Sequence, residues 1–208
     1  MDKIVLAEAA RDPKAVKIAI VCPPTIYGTG RGIISQRSRQ VPLLIALTLE
    51  HGAAPVIGNG LTEWDNVHVR DLSDLIILLA KQSLRAEPDS NEEEIFGPKG
   101  YFFCENGTHR WAQLAEEVAR EANKQGLING TSTMRLDIGE AREKLGMEPV
   151  TWGLNSRGAA KRARKYLGWK PERTLQSYIP ELVSWEGERR KDRGSSDKKT
   201  PVPASFKT

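Results

Sequence analysis

The residues with the clearest chemical potential in this chain follow an apolar segment near its start. Residues 16–22 are almost entirely apolar, which is typical of a strand buried on both faces of a parallel sheet. Pro23 and Pro24 are predicted to end this strand, and a glycine-rich loop that carries Tyr27 and Arg31 follows. Because ligands of open parallel sheets bind beyond the carboxyl ends of the strands, we expect this loop to contact a ligand.

Three side chains in loops have chemistry that suits contact with a small polar ligand. The planar guanidinium of Arg31 can pair with a phosphate or a carboxylate, although an exposed loop arginine often has no such role. Tyr27 can line the substrate side of the site or simply pack. Farther along the chain, Arg157 is a weaker candidate for contact with a substrate.

The three histidines do not form a pattern typical of a metal site. His51, His68 and His109 lie far apart, and none has a partner at a spacing used for metal ligands, so no metal ion is predicted. His68 lies within a Val-His-Val segment and is predicted to be a hydrogen-bonded structural histidine rather than a catalytic base. Asp71 precedes an apolar helical pattern, which favours a role as a helix N-cap.

Three ordered segments make the chain resemble a known enzyme family. Residues 23–30 match the strand-end pattern Pro-x-x-Ile-Tyr-Gly-x-Gly, residues 66–72 match a Val-His-Val-x-Asp-Leu pattern, and residues 167–171 match a Leu-Gly-Trp-x-Pro ending. Together they resemble the extended short-chain dehydrogenase/reductase family, which includes NAD-dependent epimerases and dehydratases. The resemblance implies an α/β fold that comprises the C-terminal part of a Rossmann-like doubly wound parallel sheet and a smaller, mainly helical substrate domain.

The same resemblance implies a cofactor, a type of substrate and a set of site residues. The cofactor would be NAD or NADP, and the substrate a small carbonyl or carbinol compound. The positions whose backbone would approach the nicotinamide end of the cofactor are Pro23, Pro24 and Ile26. The positions on the substrate side are Tyr27, Arg31, Asn66 and Arg157.

Lys3 lies near the place of the family's catalytic lysine. In that family the lysine lowers the pKa of a tyrosine one helical turn upstream, and the tyrosine acts as acid or base. The printed sequence has no residue four positions before Lys3, and it has no Gly-x-x-Gly-x-x-Gly turn for the cofactor phosphates. We therefore expect a fragment of an NAD(P)-dependent epimerase, dehydratase or carbonyl reductase that lacks the glycine-rich loop and the catalytic tyrosine and is inactive alone.

Trp64 marks a departure from the sugar-nucleotide members of that family. Many of them have an arginine at this position, four residues before the His-Val pair, and it holds the substrate pyrophosphate. A neutral indole cannot neutralise a diphosphate. This difference argues against a nucleotide-diphosphate sugar and favours a smaller or more apolar carbonyl substrate.

The secondary structure expected from the sequence alternates strands and helices. The predicted strands are 16–22, 55–57, 67–69 and 101–104. The predicted helices are 3–10, 42–51, one from Asp71, one from an N-cap at Thr108 to Gly126, 138–145, 158–167 and 174–185. Residues 1–186 are expected to form the enzyme half, and residues 187–208 a disordered basic tail.

Composition narrows the choice between three classes of function. The chain has a net charge of +4, and residues 187–208 account for all of it, so the rest of the protein is neutral. The basic group Lys161, Arg162, Arg164 and Lys165 is expected on the outer face of a helix without interleaved aromatic residues, which makes nucleic-acid binding the weakest hypothesis. The second hypothesis is a non-catalytic remnant that self-associates or binds another protein through an exposed edge of the sheet.

Cysteine content and hydropathy bear on the cellular compartment. No apolar run is long enough to span a bilayer, and the first residues do not form a signal peptide. Cys22 and Cys104 are expected to be reduced, buried thiols. A cytoplasmic protein that does not bind membranes is the resulting expectation.

Overall fold

The structure is a computed structural model that describes residues 2–11, 16–33, 36–85, 87 and 90–197. Its strands are β1 (Ile20–Cys22), β2 (Thr25–Tyr27), β3 (Ala54–Ile57), β4 (Glu63–His68), β5 (Tyr101–Phe103), β6 (Thr108–Arg110) and β7 (Thr133–Leu136). Its α-helices are α1 (Asp2–Arg11), α2 (Gln40–His51), α3 (Val69–Ser83), α4 (Glu92–Ile95), α5 (Trp111–Lys124), α6 (Ile138–Leu145), α7 (Met147–Val150), α8 (Lys161–Leu167) and α9 (Leu175–Asp197). Short 3₁₀ helices occupy Gly97–Lys99 and Thr151–Gly153. None of the described helices is long and apolar enough to cross a membrane.

Parallel pairing brings the carboxyl ends of the strands together in pairs. β1 pairs with β5, β2 with β4, and β3 with β7, all parallel, while β6 is antiparallel to β4. Parallel strands need helical crossovers, and the helices between these strands supply them. The predicted α/β class is therefore confirmed, and each parallel pair ends in a loop that can contact a ligand.

The first predicted strand is shorter than expected, because the Ile18 carbonyl accepts a hydrogen bond from the Gly97 amide in the 3₁₀ helix before β5. Only Ile20–Cys22 of residues 16–22 form β1, and residues 12–15 lie outside the described part of the chain. The sequence predicted a loop after Pro23 and Pro24, whereas β2 begins directly after them. Proline has no amide hydrogen to donate to a sheet, so the chain leaves β5 at the prolines and pairs with β4 instead.

Two separate apolar cores hold these elements. The first core joins α2, α5 and α9 to β3 and β7, and contains the stacked indole rings of Trp111 and Trp152. The second core joins α3, β5 and α8, with Leu75, Ile95 and Phe102 fully buried. Among the described residues β1 has one strand partner, β5, and self-association through its other edge stays a prediction.

Three predicted helix starts differ from the observed ones. Thr108 lies in β6 and donates its hydroxyl to Asp65 Oδ1 at 2.7 Å, so α5 begins only at Trp111. Helix α3 is capped by His68 instead of the predicted Asp71, because His68 Nδ1 accepts a hydrogen bond from the Arg70 amide. Helix α8 begins at Lys161 instead of residue 158.

The last helix extends beyond its predicted end. α9 continues to Asp197, so residues 187–197 are helical where the sequence predicted no regular structure. Arg190 Nη1 donates to the carbonyl of Leu49 at the end of α2, and the Arg189 guanidinium lies 5.0 Å from the Trp185 ring centroid. These contacts stabilise turns that have little apolar periodicity. Residues 198–208 lie outside the described part of the chain.

Candidate functional site

A cavity of about 290 Å³ lies where β2 ends and α2 begins. Its lining residues are Pro24, Ile26, Gly28, Gly30, Gln36, Arg37, Ser38, Arg39, Gln40 and Val69. Val69 directly follows β4, so the cavity is at the shared carboxyl end of two parallel strands. This is the place at which an open parallel sheet binds its ligand.

Gly28 fits this strand end because no larger residue can occupy it. Its φ is +88°, and a Cβ at this position would lie 2.3 Å from His68 Nε2. His68 stands opposite Tyr27 in the register of β2 and β4, so the histidine ring fills the space beside the glycine. The glycine therefore lets the chain pass closely over the buried ring and enter the cavity wall.

Tyr27 points into the protein interior instead of toward the cavity. Its side chain is fully buried, and its phenol donates a 2.7 Å hydrogen bond to the Arg173 carbonyl. Burial raises the pKa of Tyr27 well above its usual range, with a further increase from Asp71. In this chain the phenol therefore stays protonated and holds the segment that precedes α9.

Asp71 and Arg173 complete this anchor beneath the site. The Asp71 carboxylate, 2% exposed, accepts from the Arg173 backbone amide at 3.0 Å and from the Arg173 guanidinium. The Trp169 indole donates to the Asp71 carbonyl at 2.8 Å. Asn106 Nδ2 also bonds the Arg173 carbonyl at 2.8 Å. The sequence interpretation missed Arg173, although it lies two residues after the recognised Leu-Gly-Trp-x-Pro segment.

His68 is hydrogen-bonded, as the sequence predicted, and it is neutral. Burial lowers its pKa to about 4, an effect that the nearby Asp71 partly offsets. Nδ1 caps α3, while Nε2 has no hydrogen-bond partner among the described residues. The His68 and Tyr27 rings, 5.2 Å apart and nearly perpendicular, therefore form an uncharged aromatic pair behind Gly28 of the cavity wall.

Arg157 lies at a second, smaller cavity of about 70 Å³ beside the ends of β1 and β5, which Pro23 and Pro24 also line. Its Nε donates to Asp65 Oδ1 at 2.9 Å, and its Nη1 donates to Glu63. Asp65 is buried and also accepts from the Gly158 amide at 2.6 Å. The guanidinium is thus already paired with two carboxylates, and a substrate anion would have to compete with both.

The pairing register of β2 and β4 places Asn66 close to the two prolines. It stands opposite Thr25, and its Nδ2 lies 3.2 Å from His109 Nδ1. The Asn66 Oδ1 and Thr25 Oγ1 atoms are buried without a hydrogen-bond partner among the described residues. The amide can therefore accept one more hydrogen bond, which is compatible with a ligand or an ordered water.

The remaining predicted site residues are on the surface. Lys3 is exposed on the first turn of α1 and lines none of the four cavities described for this chain. Arg31 is exposed next to Gly30, which lines the first cavity. The structure thus gathers Pro23, Pro24, Ile26 and Asn66 around one strand end, with Arg31 nearby and Lys3 apart.

The start of α2 contributes polar groups that the sequence interpretation did not select. Arg39 is the N-cap residue and donates to Glu148 at 3.1 Å, and Arg37 pairs with the buried Glu186 at 2.6 Å. Ser38 Oγ is buried and has no hydrogen-bond partner within the described part of the chain. Pro42 predicted the first turn of this helix, and it was therefore the sequence signal that could have pointed to these neighbouring residues.

The cysteines and the basic cluster do not add to this site. Cys104 is a free thiol whose pKa burial raises to about 12, so it is not a nucleophile at neutral pH. Arg164 pairs with Glu105 at 2.7 Å, and Arg162 pairs with Glu94 at 3.2 Å. Much of the cluster's positive charge is therefore neutralised within the protein.

Comparison with known proteins agrees with this geometry. A family model described as the NAD dependent epimerase/dehydratase family matches residues 2–91. The protein Oxidase ucsJ from Acremonium sp is 38% identical over 164 residues, which cover 77% of this chain and 47% of that protein.

Two solved structures have the same fold at low sequence identity. DesIV, a dTDP-glucose 4,6-dehydratase from Streptomyces venezuelae solved with NAD and TYD bound, superposes with a TM-score of 0.60 at 17% identity, covering 93% of this chain and 49% of that chain. Epimerase Mth375 from Methanothermobacter thermautotrophicus superposes with a TM-score of 0.64 at 11% identity, covering 94% of this chain and 50% of that chain. The chain thus spans about half the length of the curated relative and of the structures it matches.

Proposed function

We propose that this chain, whose residues 2–91 match the NAD dependent epimerase/dehydratase family, provides the substrate side of an NAD(P)-dependent oxidoreductase that acts on a small carbonyl or carbinol compound. The observation that carries the proposal is the cavity where β2 meets the start of α2. It contains the strand-end residues Pro24, Ile26 and Gly28, together with polar groups from a second element. A cytoplasmic location is part of the proposal and is supported by the two free thiols.

The residues at this strand end fit the nicotinamide end of a cofactor. Pro24 and Ile26 are half-buried and uncharged, which suits a flat, weakly polar ring. Ser38 Oγ on the same cavity wall has an unused hydrogen-bonding capacity that can serve a carboxamide group. When bound, the cofactor would supply or accept the hydride.

The chain's own residues would orient and surround the substrate. The first turn of α2 has unpaired backbone amides, and the N-cap residue Arg39 is cationic, so a substrate oxygen is favoured there. The buried Tyr27 and His68 rings beneath the cavity exclude water from that side. Asn66 and Arg157 are proposed to contact the substrate from the side of Pro23 and Pro24 that faces the second, smaller cavity. Arg31 is proposed to contact it from the loop after β2.

Acid–base chemistry would depend on groups other than Tyr27. Its phenol is buried and bonded to the Arg173 carbonyl, so it cannot readily exchange a proton with a ligand. Lys3 is proposed as the lysine that assists the acid–base group, because of its place in the family pattern. Lys3 lies apart from the four cavities described for this chain, and we expect the chain alone to be inactive.

Protein-observed NMR with nicotinamide mononucleotide tests the position of the cofactor site. We expect millimolar ligand to shift the amide resonances of Ile26, Gly28 and Gly30, and to leave those of Gly146 and Gly168 unchanged. Ile26→Asp should abolish the shifts, whereas the matched control Ile76→Asp, on the exposed face of α3, should not. No shift in the unaltered chain, or shifts confined to another surface, would contradict the proposal.

Calorimetric titration with NAD and NADP gives an independent check. The cofactor pyrophosphate is expected to need a glycine-rich helix start that this sequence does not contain. We therefore expect dissociation constants weaker than about 10 μM, or roughly 7 kcal/mol of binding free energy. Tighter binding would show that the cofactor site is elsewhere in the chain.

A further inference from the structure

A cavity of about 280 Å³ lies at the carboxyl ends of β3 and β7, separate from the site at β2. We call it the neutral cleft. It is lined by the loop residues 57–62 together with Ile138, Gly153 and Asn155. Like the first cavity, it is at the end of a parallel strand pair, in which Ile57 stands opposite Leu136.

The walls of the neutral cleft are fixed by hydrogen bonds and close packing. The Gly58 amide donates to the Leu136 carbonyl at 2.8 Å, and Arg135 Nη1 donates to the Gly58 carbonyl at 3.0 Å. Gly60 has φ +67°, and a Cβ there would lie 2.6 Å from both Ala112 Cβ and Val56 Cγ1. The loop is therefore held tightly against α5 and β3, so the cleft is largely preformed.

The neutral cleft is apolar at its rim and has no ionisable side chain in its lining. Leu61 is 67% exposed and Ile138 is 55% exposed, and Leu154, between the lining residues Gly153 and Asn155, is 61% exposed. Large apolar side chains that gather around a cavity mark a surface that binds another apolar group. The lining side chains carry no charge, and the adjoining Arg135 guanidinium already donates to the Gly58 carbonyl, which favours a neutral group.

Trp64 is a neutral side chain near this cleft. Its indole donates to the Leu154 carbonyl at 2.7 Å and packs edge-on against Trp111, with ring centroids 5.6 Å apart. The arginines of the adjoining segments, Arg110 and Arg157, both pair with Glu63. A diphosphate in the neutral cleft would therefore find no free positive charge among the described residues that line it.

The neutral cleft and the first cavity flank the same short helix. Glu148 in α7 pairs with Arg39 of the first cavity, and α7 leads through residues 151–153 into the cleft wall at Gly153 and Asn155. Asn155 Oδ1 accepts from the Glu63 amide at 2.8 Å, which leaves its NH₂ group as a donor at the cleft.

We propose that the neutral cleft binds an uncharged aryl or alkyl portion of the carbonyl substrate. That the bound group belongs to a carbonyl substrate rests on the proposed function. That the cleft binds a neutral apolar group rests on the geometry of the cleft alone. An apolar protein cavity of about 150 Å³ accommodates benzene, so the cleft has room for a group of roughly bicyclic size. Leu61 and Ile138 would cover its faces, and the Asn155 amide would donate to a substrate oxygen.

Fluorescence titration with 6-propionyl-2-dimethylaminonaphthalene tests the inference on the chain alone. This probe is a neutral aryl ketone whose emission shifts to the blue in apolar surroundings. We expect saturable binding, and we expect Ile138→Asp and Leu61→Asp each to weaken it by about tenfold or more, or about 1.4 kcal/mol. The control Leu84→Asp replaces a leucine that is 84% exposed outside the cleft, and should change binding by less than about twofold.

The outcomes separate this inference from its alternatives. Because the substituted side chains are exposed, the variants should keep the circular dichroism spectrum of the unaltered chain. The inference is wrong if the probe does not bind, if Leu84→Asp weakens binding as much as Ile138→Asp, or if 1 mM UDP displaces the probe. None of these measurements uses a nicotinamide, so their failure is distinguishable from failure of the cofactor titrations.

Discussion

His109 should make the protein sensitive to mild acid. Its ring is 4% exposed, packs 4.9 Å from Trp111, and has no hydrogen-bond partner for Nε2 among the described residues. Burial lowers its pKa to about 4, although the nearby Asp65 carboxylate acts in the opposite direction. The folded protein therefore keeps this imidazole neutral at a pH at which an unfolded chain would protonate it.

The sign and size of the effect follow from proton linkage. Between pH 6.5 and about 4 the unfolded chain binds a proton at His109 that the folded chain does not, so the free energy of unfolding decreases as the pH falls. The slope approaches about 1.4 kcal/mol per pH unit, which gives a loss of roughly 2 kcal/mol between pH 7 and pH 5. The loss is complete only below the folded pKa.

Urea unfolding at pH 7, 6 and 5 measures this contribution when variants are compared. His109→Gln removes the titrating group and keeps an amide that can bond Asn66, so the variant should lose about 2 kcal/mol less than the unaltered chain between pH 7 and 5. His51→Gln is the control, because His51 is exposed at the end of α2. Parallel losses in the unaltered chain and His109→Gln would refute the reasoning.

Substitutions at two further positions, Tyr27 and Asp71, test the anchor beneath the site. Tyr27→Phe should lower the free energy of unfolding by only about 1 kcal/mol, because Asn106 still bonds the Arg173 carbonyl, whereas Tyr27→Ala should lower it by about 3–5 kcal/mol through the cavity it creates. Equal losses in these two variants, measured by urea unfolding, would show that the ring does not support the core. Asp71→Asn should lower the thermal midpoint and the free energy of unfolding, by about 2 kcal/mol, because Arg173 loses its buried counter-charge. Asp74→Asn, on the exposed side of the same helix, should stay within about 0.5 kcal/mol. A similar effect in both aspartate variants would contradict the role of the ion pair.

Several features of the fold could be predicted from the sequence because their signals are local. Pro42 and Gly52 bracket α2 within two residues of its observed ends, since proline suits the first turn and glycine suits the left-handed cap. The apolar run at 101–104 gave β5, and the order of the three motifs identified the family. The strand-end residue Ile26 lines the first cavity, Pro23 the second and Pro24 both, because parallel strands bring their carboxyl ends together.

Tertiary structure decided which of these residues are free to meet a ligand. Tyr27 and Arg157 have side chains suited to a substrate, yet the first bonds a carbonyl 146 residues away and the second bonds carboxylates more than 90 residues away. Thr108 was predicted to cap a helix, but it lies in β6 and its hydroxyl bonds the distant Asp65. Sequence patterns report the conformational preference of neighbouring residues, and they carry no signal for a hydrogen bond between distant segments. The sequence by itself therefore determined the resemblance to the matched family, the α/β order and the strand end, while only the folded chain determined which polar groups were already paired.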